Sequence, residues 1–115
     1  MEKNEFVTKV RQIIKGTDFK LDNVSDSFTG TYTDCRIQAN WRSKGENGDI
    51  DFNETVTIHV KMFKDGTVKV LFNEKNINNM EIKQPCTDDL CKSLEKKLKA
   101  YTTLGRATAK FYTNF

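Results

Sequence analysis

The sequence predicts an α+β fold in which an antiparallel sheet of about four strands carries an N-terminal and a C-terminal helix on one face. Apolar residues at helical spacing occur near both ends of the chain, and alternation of apolar and polar residues fills the region between them. An Asp-Gly pair within that region indicates a β-hairpin. Strands grouped between helices are typical of the α+β class. At this length we expect residues 1–115 to form a single domain.

The first predicted element is a helix in the segment NEFVTKVRQIIKG. Asn4 is the candidate N-cap, and Glu5 stands in the first turn. The apolar residues follow the spacing i, i+1, i+4, i+7 and i+8, which is one stripe of a helix: Phe6, Val7, Val10, Ile13 and Ile14. Gly16 is expected to end the helix in a left-handed conformation.

Two strands are predicted next. Residues 18–25 alternate at Phe19 and Leu21, which is typical of a short edge strand. Residues 28–43 form a longer strand whose two faces separate cleanly. We expect its apolar odd positions to lie in the core: Cys35, Ile37, Ala39 and Trp41. The segment 44–54 is rich in glycine and acidic residues without periodicity, and it predicts a loop.

A hairpin is predicted around Asp65 and Gly66. A two-residue turn would mix core and polar residues on each face of the sheet, which burial of one face opposes. A three-residue loop with Gly66 in the left-handed position of a G1 bulge pairs Phe63 with Thr67 instead. We therefore predict the following cross-strand pairs: Met62 with Val68, Val60 with Val70, Ile58 with Phe72, Lys61 with Lys69, and His59 with Leu71.

The C-terminal part of the chain predicts a second helix. Residues 73–84 fit either a connection or a further edge strand around residues 80–82, and Pro85 closes that region. Thr87 is the candidate N-cap, followed by two aspartates that complement the helix N-terminus. The apolar stripe follows the spacing i, i+4, i+8 and i+11: Leu90, Leu94, Leu98 and Tyr101. Gly105 is expected to end the helix, and the tail beyond it fits either a last strand or a helical end.

With both helices on one face, the other face of the sheet is left for solvent or a partner. The predicted register places these residues on it: Arg36, Gln38, Asn40, Arg42, Thr57, His59, Lys61, Phe63, Thr67, Lys69 and Leu71. None of these eleven residues is a carboxylate. Like charges on directly opposed positions destabilise a sheet, and an anionic partner would relieve that repulsion. Six of these residues are the predicted partner-binding residues: Arg36, Arg42, His59, Lys61, Phe63 and Lys69.

Composition sets broad limits on function. The formal net charge is +3, which does not by itself indicate nucleic-acid binding. No apolar run approaches ~18 residues and the N-terminus lacks a signal-peptide core, so we expect no membrane contact. Three cysteines leave an odd thiol, which favours a reducing cytoplasm. Cys86 and Cys91 have no matching Cys/His pair, so no metal site or other cofactor is predicted.

The sequence contains no catalytic motif. His59 is the single histidine, and local spacing places no serine, cysteine or carboxylate beside it, so we predict that the protein is not an enzyme. Trp41 is expected in the core or at its rim. The favoured hypothesis is a small interaction protein of the inhibitor, immunity or accessory type, which docks on an acidic protein through its basic sheet face or an edge strand. The alternative is a nucleic-acid or polyanion binder that uses the same face. The oligomeric state is left open.

Overall fold

The computed structural model describes residues 2–44, 51–74, 80–85 and 88–113. The elements in chain order are α1 (Lys3–Ile14), β1 (Lys20–Asp26), β2 (Tyr32–Lys44), β3 (Asp51–Phe63), β4 (Thr67–Glu74), β5 (Met80–Pro85) and α2 (Asp88–Thr113). The strands form one antiparallel sheet in the order β1-β2-β3-β4-β5. The predicted α+β fold is confirmed, and the sheet has five strands where about four were expected because the segment around residues 80–82 does form an edge strand.

The hydrophobic core lies between the two helices and one face of the sheet. Its members are apolar residues of α1 and α2 and the inward positions of the strands, and the most completely buried are Phe6, Val10, Cys35, Ile37, Ile58, Val68, Val70 and Leu98. The odd positions of β2 are buried as predicted, which follows from the period of two along a strand. We call this the inner face and the opposite side the outer face. The outer face is therefore the surface that the described helices leave uncovered.

The β3–β4 hairpin has the predicted bulged register. Lys61 pairs with Lys69 and Met62 with Val68, and the expected pairs Val60–Val70, Ile58–Phe72 and His59–Leu71 are also present. The backbone N–H of Gly66 donates to the carbonyl of Phe63 at 3.0 Å, and Gly66 has a φ of +86°. A left-handed residue at this position is what the three-residue loop requires. Burial of one face together with one glycine was sufficient to select this register.

Strand boundaries differ from the prediction at several places. β2 begins at Tyr32, so residues 28–31 at the start of the predicted strand 28–43 form the turn before it. β3 begins at Asp51, so residues 51–54 of the predicted acidic loop are strand, paired with the end of β2. Residues 45–50, the centre of that loop, lie outside the described residues. In β1 the pairing with β2 shifts between Leu21 and Asn23, which leaves Asp22 in a bulge. Bulges are frequent on edge strands, where they limit further strand pairing.

The start of α1 differs from the prediction, whereas its end agrees with it. The N-cap position is Glu2, without a side-chain capping bond, so the prediction of Asn4 as the cap is wrong. The carbonyl of Asn4 instead accepts a hydrogen bond from the hydroxyl of Thr8 at 2.8 Å. Gly16 follows the helix with a φ of +81°, as expected for a glycine that ends a helix.

α2 continues through Gly105, so the prediction that this glycine ends the helix is wrong. The tail as far as Thr113 is the helical alternative of the two left open, and the predicted cap, Thr87, lies outside the described residues. Gly105 is buried because α2 crosses the indole ring of Trp41 there, and a Cβ at position 105 would lie 2.1 Å from two ring carbons. Gly105 allows the backbone of α2 to approach the indole ring of Trp41 closely, although a glycine is unfavourable in a helix interior.

A polar cluster joins the same part of α2 to the segment between α1 and β1. The carboxylate of Asp18 accepts hydrogen bonds from Nε1 of Trp41 at 2.8 Å and from Nε of Arg106 at 2.8 Å. The backbone N–H of Asp18 donates to the hydroxyl of Thr102 at 3.0 Å. The bond from Arg106 lowers the pKa of Asp18, with a smaller contribution from Trp41 and against the opposing effect of burial. Trp41 is thus a core residue, as predicted, and packs edge-on against Phe19.

Candidate functional site: the outer face of the sheet

The structure places all six predicted partner-binding residues on the outer face. Two lie on β2, three on β3 and one on β4, and they are Arg36, Arg42, His59, Lys61, Phe63 and Lys69. The register brings Arg36 opposite His59 and Lys61 opposite Lys69. Arg42 is apart from them, near the other end of β2 and opposite Asn53, and it is exposed. Five of the six therefore form one neighbourhood, and Arg42 lies outside it.

Lysines occupy successive paired positions across three strands. Lys61 of β3 is opposite Lys69 of β4, and Lys69 is in turn opposite Lys83 of β5. We call Lys61, Lys69 and Lys83 the lysine row. The sequence predicted the first pair, and β5 adds the third member. Directly opposed like charges destabilise a sheet by a few tenths of a kcal/mol or more, whereas the residue opposite Lys61 on β2 is an acid, Asp34.

Two aromatic rings lie beside the lysine row. Tyr32, the first residue of β2, pairs with Phe63, the last residue of β3, and their ring centroids are 5.3 Å apart. The ammonium group of Lys61 lies 4.7 Å from the centroid of the Tyr32 ring, a cation–π distance. Sequence analysis missed Tyr32, although its position two residues before Asp34 on an alternating strand assigns it to the outer face.

Carboxylates are also present on this side of the sheet, outside the eleven residues that were predicted for it. Asp22, in the bulge of β1, accepts a hydrogen bond from Nε of Arg36 at 2.7 Å. Asp34, two residues before Arg36 on β2, accepts from Nδ1 of His59 at 3.0 Å. Asp34 lies within the predicted strand, two positions before the first residue assigned to the outer face, and the bulge brings Asp22 beside Arg36. Arg36 and His59 are therefore paired within the protein.

His59 and Asp34 form a partly buried pair. Their side chains are 28% and 14% exposed, and the carboxylate fixes the ring by accepting from Nδ1–H. One carboxylate oxygen, Oδ1 of Asp34, is buried without a hydrogen-bond partner among the described residues. A carboxylate next to the histidine contradicts the expectation that none could be placed there. Among the described residues no serine, threonine or cysteine side chain is hydrogen-bonded to this histidine.

The described residues were also searched for a reactive thiol, a metal site and a membrane-spanning helix. Cys35 is fully buried, and burial raises the pKa of its thiol to about 11, so it is a protonated core residue. Within the ranges that the structure describes, no group of three or more His, Cys, Asp or Glu side chains could hold a metal ion. None of the described helices is long and apolar enough to cross a membrane.

Comparison of the chain with protein-family models, with curated proteins and with solved structures found no match. The function must therefore be inferred from the geometry of the outer face.

Proposed function

We propose that this protein is a small non-enzymatic interaction protein, of the inhibitor, immunity or accessory type, that docks on an acidic surface of another protein through its outer sheet face. The observation that carries the proposal is the lysine row, Lys61, Lys69 and Lys83, aligned across three strands. The odd number of cysteines and the buried free thiol of Cys35 support a reducing, cytoplasmic setting.

The physical reason is the arrangement of charge in the row. Lys69 lies between Lys61 and Lys83 at the spacing of neighbouring strands, whereas the neighbour of Lys61 on β2 is Asp34. Partner carboxylates placed against Lys61 and Lys69 would gain favourable contacts with cations. The stem of Lys61 is half-buried, and its ammonium group is held over the ring of Tyr32. A cation presented from a rigid strand loses less side-chain entropy on docking than one on a mobile loop.

The direct test uses a fluorescein-labelled poly-glutamate peptide and fluorescence anisotropy. The charge-reversal variant Lys61→Glu with Lys69→Glu should weaken binding by about tenfold or more, since two favourable contacts become repulsive. The matched control is Lys92→Glu with Lys96→Glu, which changes the net charge equally on an exposed part of α2 and should retain binding close to that of the wild type. Equal losses in the two variants would mean that only net charge matters, and the proposal would fail.

A second candidate function, binding of single-stranded nucleic acid, is favoured by the pair of rings next to Lys61. Bases stack on aromatic side chains while cations contact the phosphates, and Tyr32 and Phe63 provide two adjacent rings. Oligothymidylate and the poly-glutamate peptide separate the two candidates. If Phe63→Leu weakens oligothymidylate binding and leaves peptide binding unchanged, the nucleic-acid function is favoured.

A further inference from the structure

Phe28 lies in the turn between β1 and β2, and its side chain is fully exposed, with a relative accessibility of 107%. Leu104, on α2, is the other exposed large apolar residue in the part of the chain that the structure describes. Single exposed apolar residues are common on protein surfaces. Exposure alone therefore indicates nothing, and the inference depends on the turn that holds the ring and on the charges beside it.

The turn that carries Phe28 is closed by hydrogen bonds to Ser27. The hydroxyl of Ser27 accepts from the backbone N–H groups of Thr31 at 2.8 Å and Tyr32 at 3.2 Å. Its carbonyl accepts from the N–H of Gly30 at 2.9 Å, and its own N–H donates to the carbonyl of Tyr32 at 2.9 Å. Gly30 takes the left-handed conformation that this closure uses, with a φ of +70°. A backbone that is already ordered loses little entropy when its side chain docks.

Cations flank this turn. The backbone N–H of Lys64 donates to the carbonyl of Thr31 at 3.3 Å, which brings the β3–β4 turn beside the β1–β2 turn. The side chain of Lys64 is exposed. Tyr32, which directly follows the turn, lies under the ammonium group of Lys61. Phe28 is therefore at the same end of the sheet as one member of the lysine row and one further lysine.

Two carboxylates at this end of the sheet, Asp26 and Asp65, are engaged within the protein, and a third acid, Glu2, is exposed there. Asp26 pairs with Lys3 at 2.9 Å and accepts a hydrogen bond from Thr33 at 2.9 Å. Asp65 accepts from the backbone N–H and from the hydroxyl of Thr67, at 3.0 and 2.7 Å. Phe28 thus lies in a turn beside that of the exposed Lys64, while Asp26 and Asp65 have partners within the protein.

We propose, on the basis of the function proposed above, that Phe28 is the apolar anchor of the docking surface, and that the partner is an acidic protein with an apolar socket rimmed by carboxylates. Interface hot spots are typically aromatic side chains that fill a pocket and exclude water from surrounding polar contacts. The socket would take the ring, and its carboxylates would meet Lys64 and the lysine row. Charge complementarity then sets the orientation of the partner. The ring supplies most of the binding free energy that does not depend on salt concentration.

The test compares two labelled peptides that carry the same number of glutamates, one poly-glutamate and one with leucines alternating between the glutamates. Wild-type protein should bind the leucine-containing peptide about tenfold more tightly, and Phe28→Ala should remove that preference while leaving poly-glutamate binding unchanged. The control is Leu104→Ala, which removes an exposed apolar side chain from α2 and should keep the preference. Because Phe28 is exposed, its substitution should leave the unfolding midpoint unchanged, so a loss of binding cannot be attributed to unfolding.

The outcomes separate this inference from the function on which it rests. If Phe28→Ala retains the preference for the leucine-containing peptide, the anchor is elsewhere even when the lysine substitutions behave as expected. If the lysine substitutions leave poly-glutamate binding unchanged, the docking function itself fails. If Phe28→Ala loses binding to oligothymidylate or to phosphatidylserine vesicles without any change in peptide preference, then a nucleic acid or a membrane surface is the occupant and the inference is overturned.

Discussion

Substitution of Gly105 by alanine should destabilise the protein, although alanine is the better helix former. A Cβ at this position would lie 2.1 Å from Cδ2 and Cε2 of Trp41 and 2.6 Å from Cε3, whereas ordinary contact begins at 3.4 Å. Either the helix or the indole ring must move to relieve the overlap. The ring is held by its edge contact with Phe19 and by its hydrogen bond to Asp18, so both movements disturb existing contacts.

The magnitude follows from two opposing effects. Alanine in place of glycine in a helix interior favours folding by about 1 kcal/mol. Overpacking in a closely packed core disfavours it by about 1–3 kcal/mol, and the overlap here is with a ring that cannot rotate away easily. With the upper end of that range, we expect Gly105→Ala to lower the free energy of unfolding by about 2 kcal/mol. Urea denaturation followed by circular dichroism measures this change.

Removal of the ring should abolish the effect. In a Trp41→Leu background, which is itself less stable, the added methyl group of Gly105→Ala meets no indole and should be neutral or stabilising by about 1 kcal/mol. The double-mutant cycle should therefore show a large coupling between the two positions. If Gly105→Ala stabilises the wild type, or if its effect is the same in both backgrounds, then the close contact between α2 and Trp41 does not explain the glycine.

Three further predictions follow from individual contacts. Asp18→Asn should destabilise the protein at neutral pH. Because Arg106 lowers the folded pKa of Asp18, the carboxylate contributes to the free energy of unfolding above the unfolded pKa of ~3.9, and this contribution disappears as the pH falls through the folded pKa. The urea midpoints of wild type and variant should therefore converge in acid. Gly66→Ala should destabilise the β3–β4 hairpin by about 1–2 kcal/mol, because the φ of +86° is unfavourable for a residue with a Cβ. Gly66→Asn should destabilise it less, since asparagine tolerates a left-handed conformation better than alanine does. Equal urea midpoints for the two variants would contradict this explanation. The thiol of Cys35 should not react with Ellman's reagent at pH 8 until urea unfolds the chain, since burial raises its pKa to about 11. The wild type and Cys35→Ser should show the same number of reactive thiols in the native state. After unfolding, the variant should show one reactive thiol fewer than the wild type.

Features governed by local pattern were predictable from the sequence. The period of two along β2 assigned its buried face, and Gly66 with the alternation around it selected the hairpin register residue by residue. The pairing of Lys61 with Lys69 followed from that register without any knowledge of the rest of the fold. A register is determined by short-range geometry and by which face is apolar, and both can be read from a single sequence.

Features that join distant segments were not predictable in the same way. Asp34 and His59 are 25 positions apart, and their hydrogen bond depends on the register between β2 and β3, for which no turn signal was available. The exposure of Phe28 depends on the closure of the turn around it, because a phenylalanine in that context is otherwise expected to be buried. Lys61, Lys69 and Phe63 of the candidate site were therefore predicted from the sequence, whereas Lys83, Tyr32 and the carboxylates of Asp22 and Asp34 were not.

Gly105 shows most clearly what each level determined. The sequence by itself determined that the chain has amphipathic helices at both ends and a sheet with one apolar face, because these follow from the periodicity of side chains along a single element. A glycine after a helical stripe is usually a stop, and the local pattern predicted one here. Only the tertiary structure decided that α2 continues, because the indole ring of Trp41, 64 positions earlier in the chain, occupies the space where a side chain at position 105 would be.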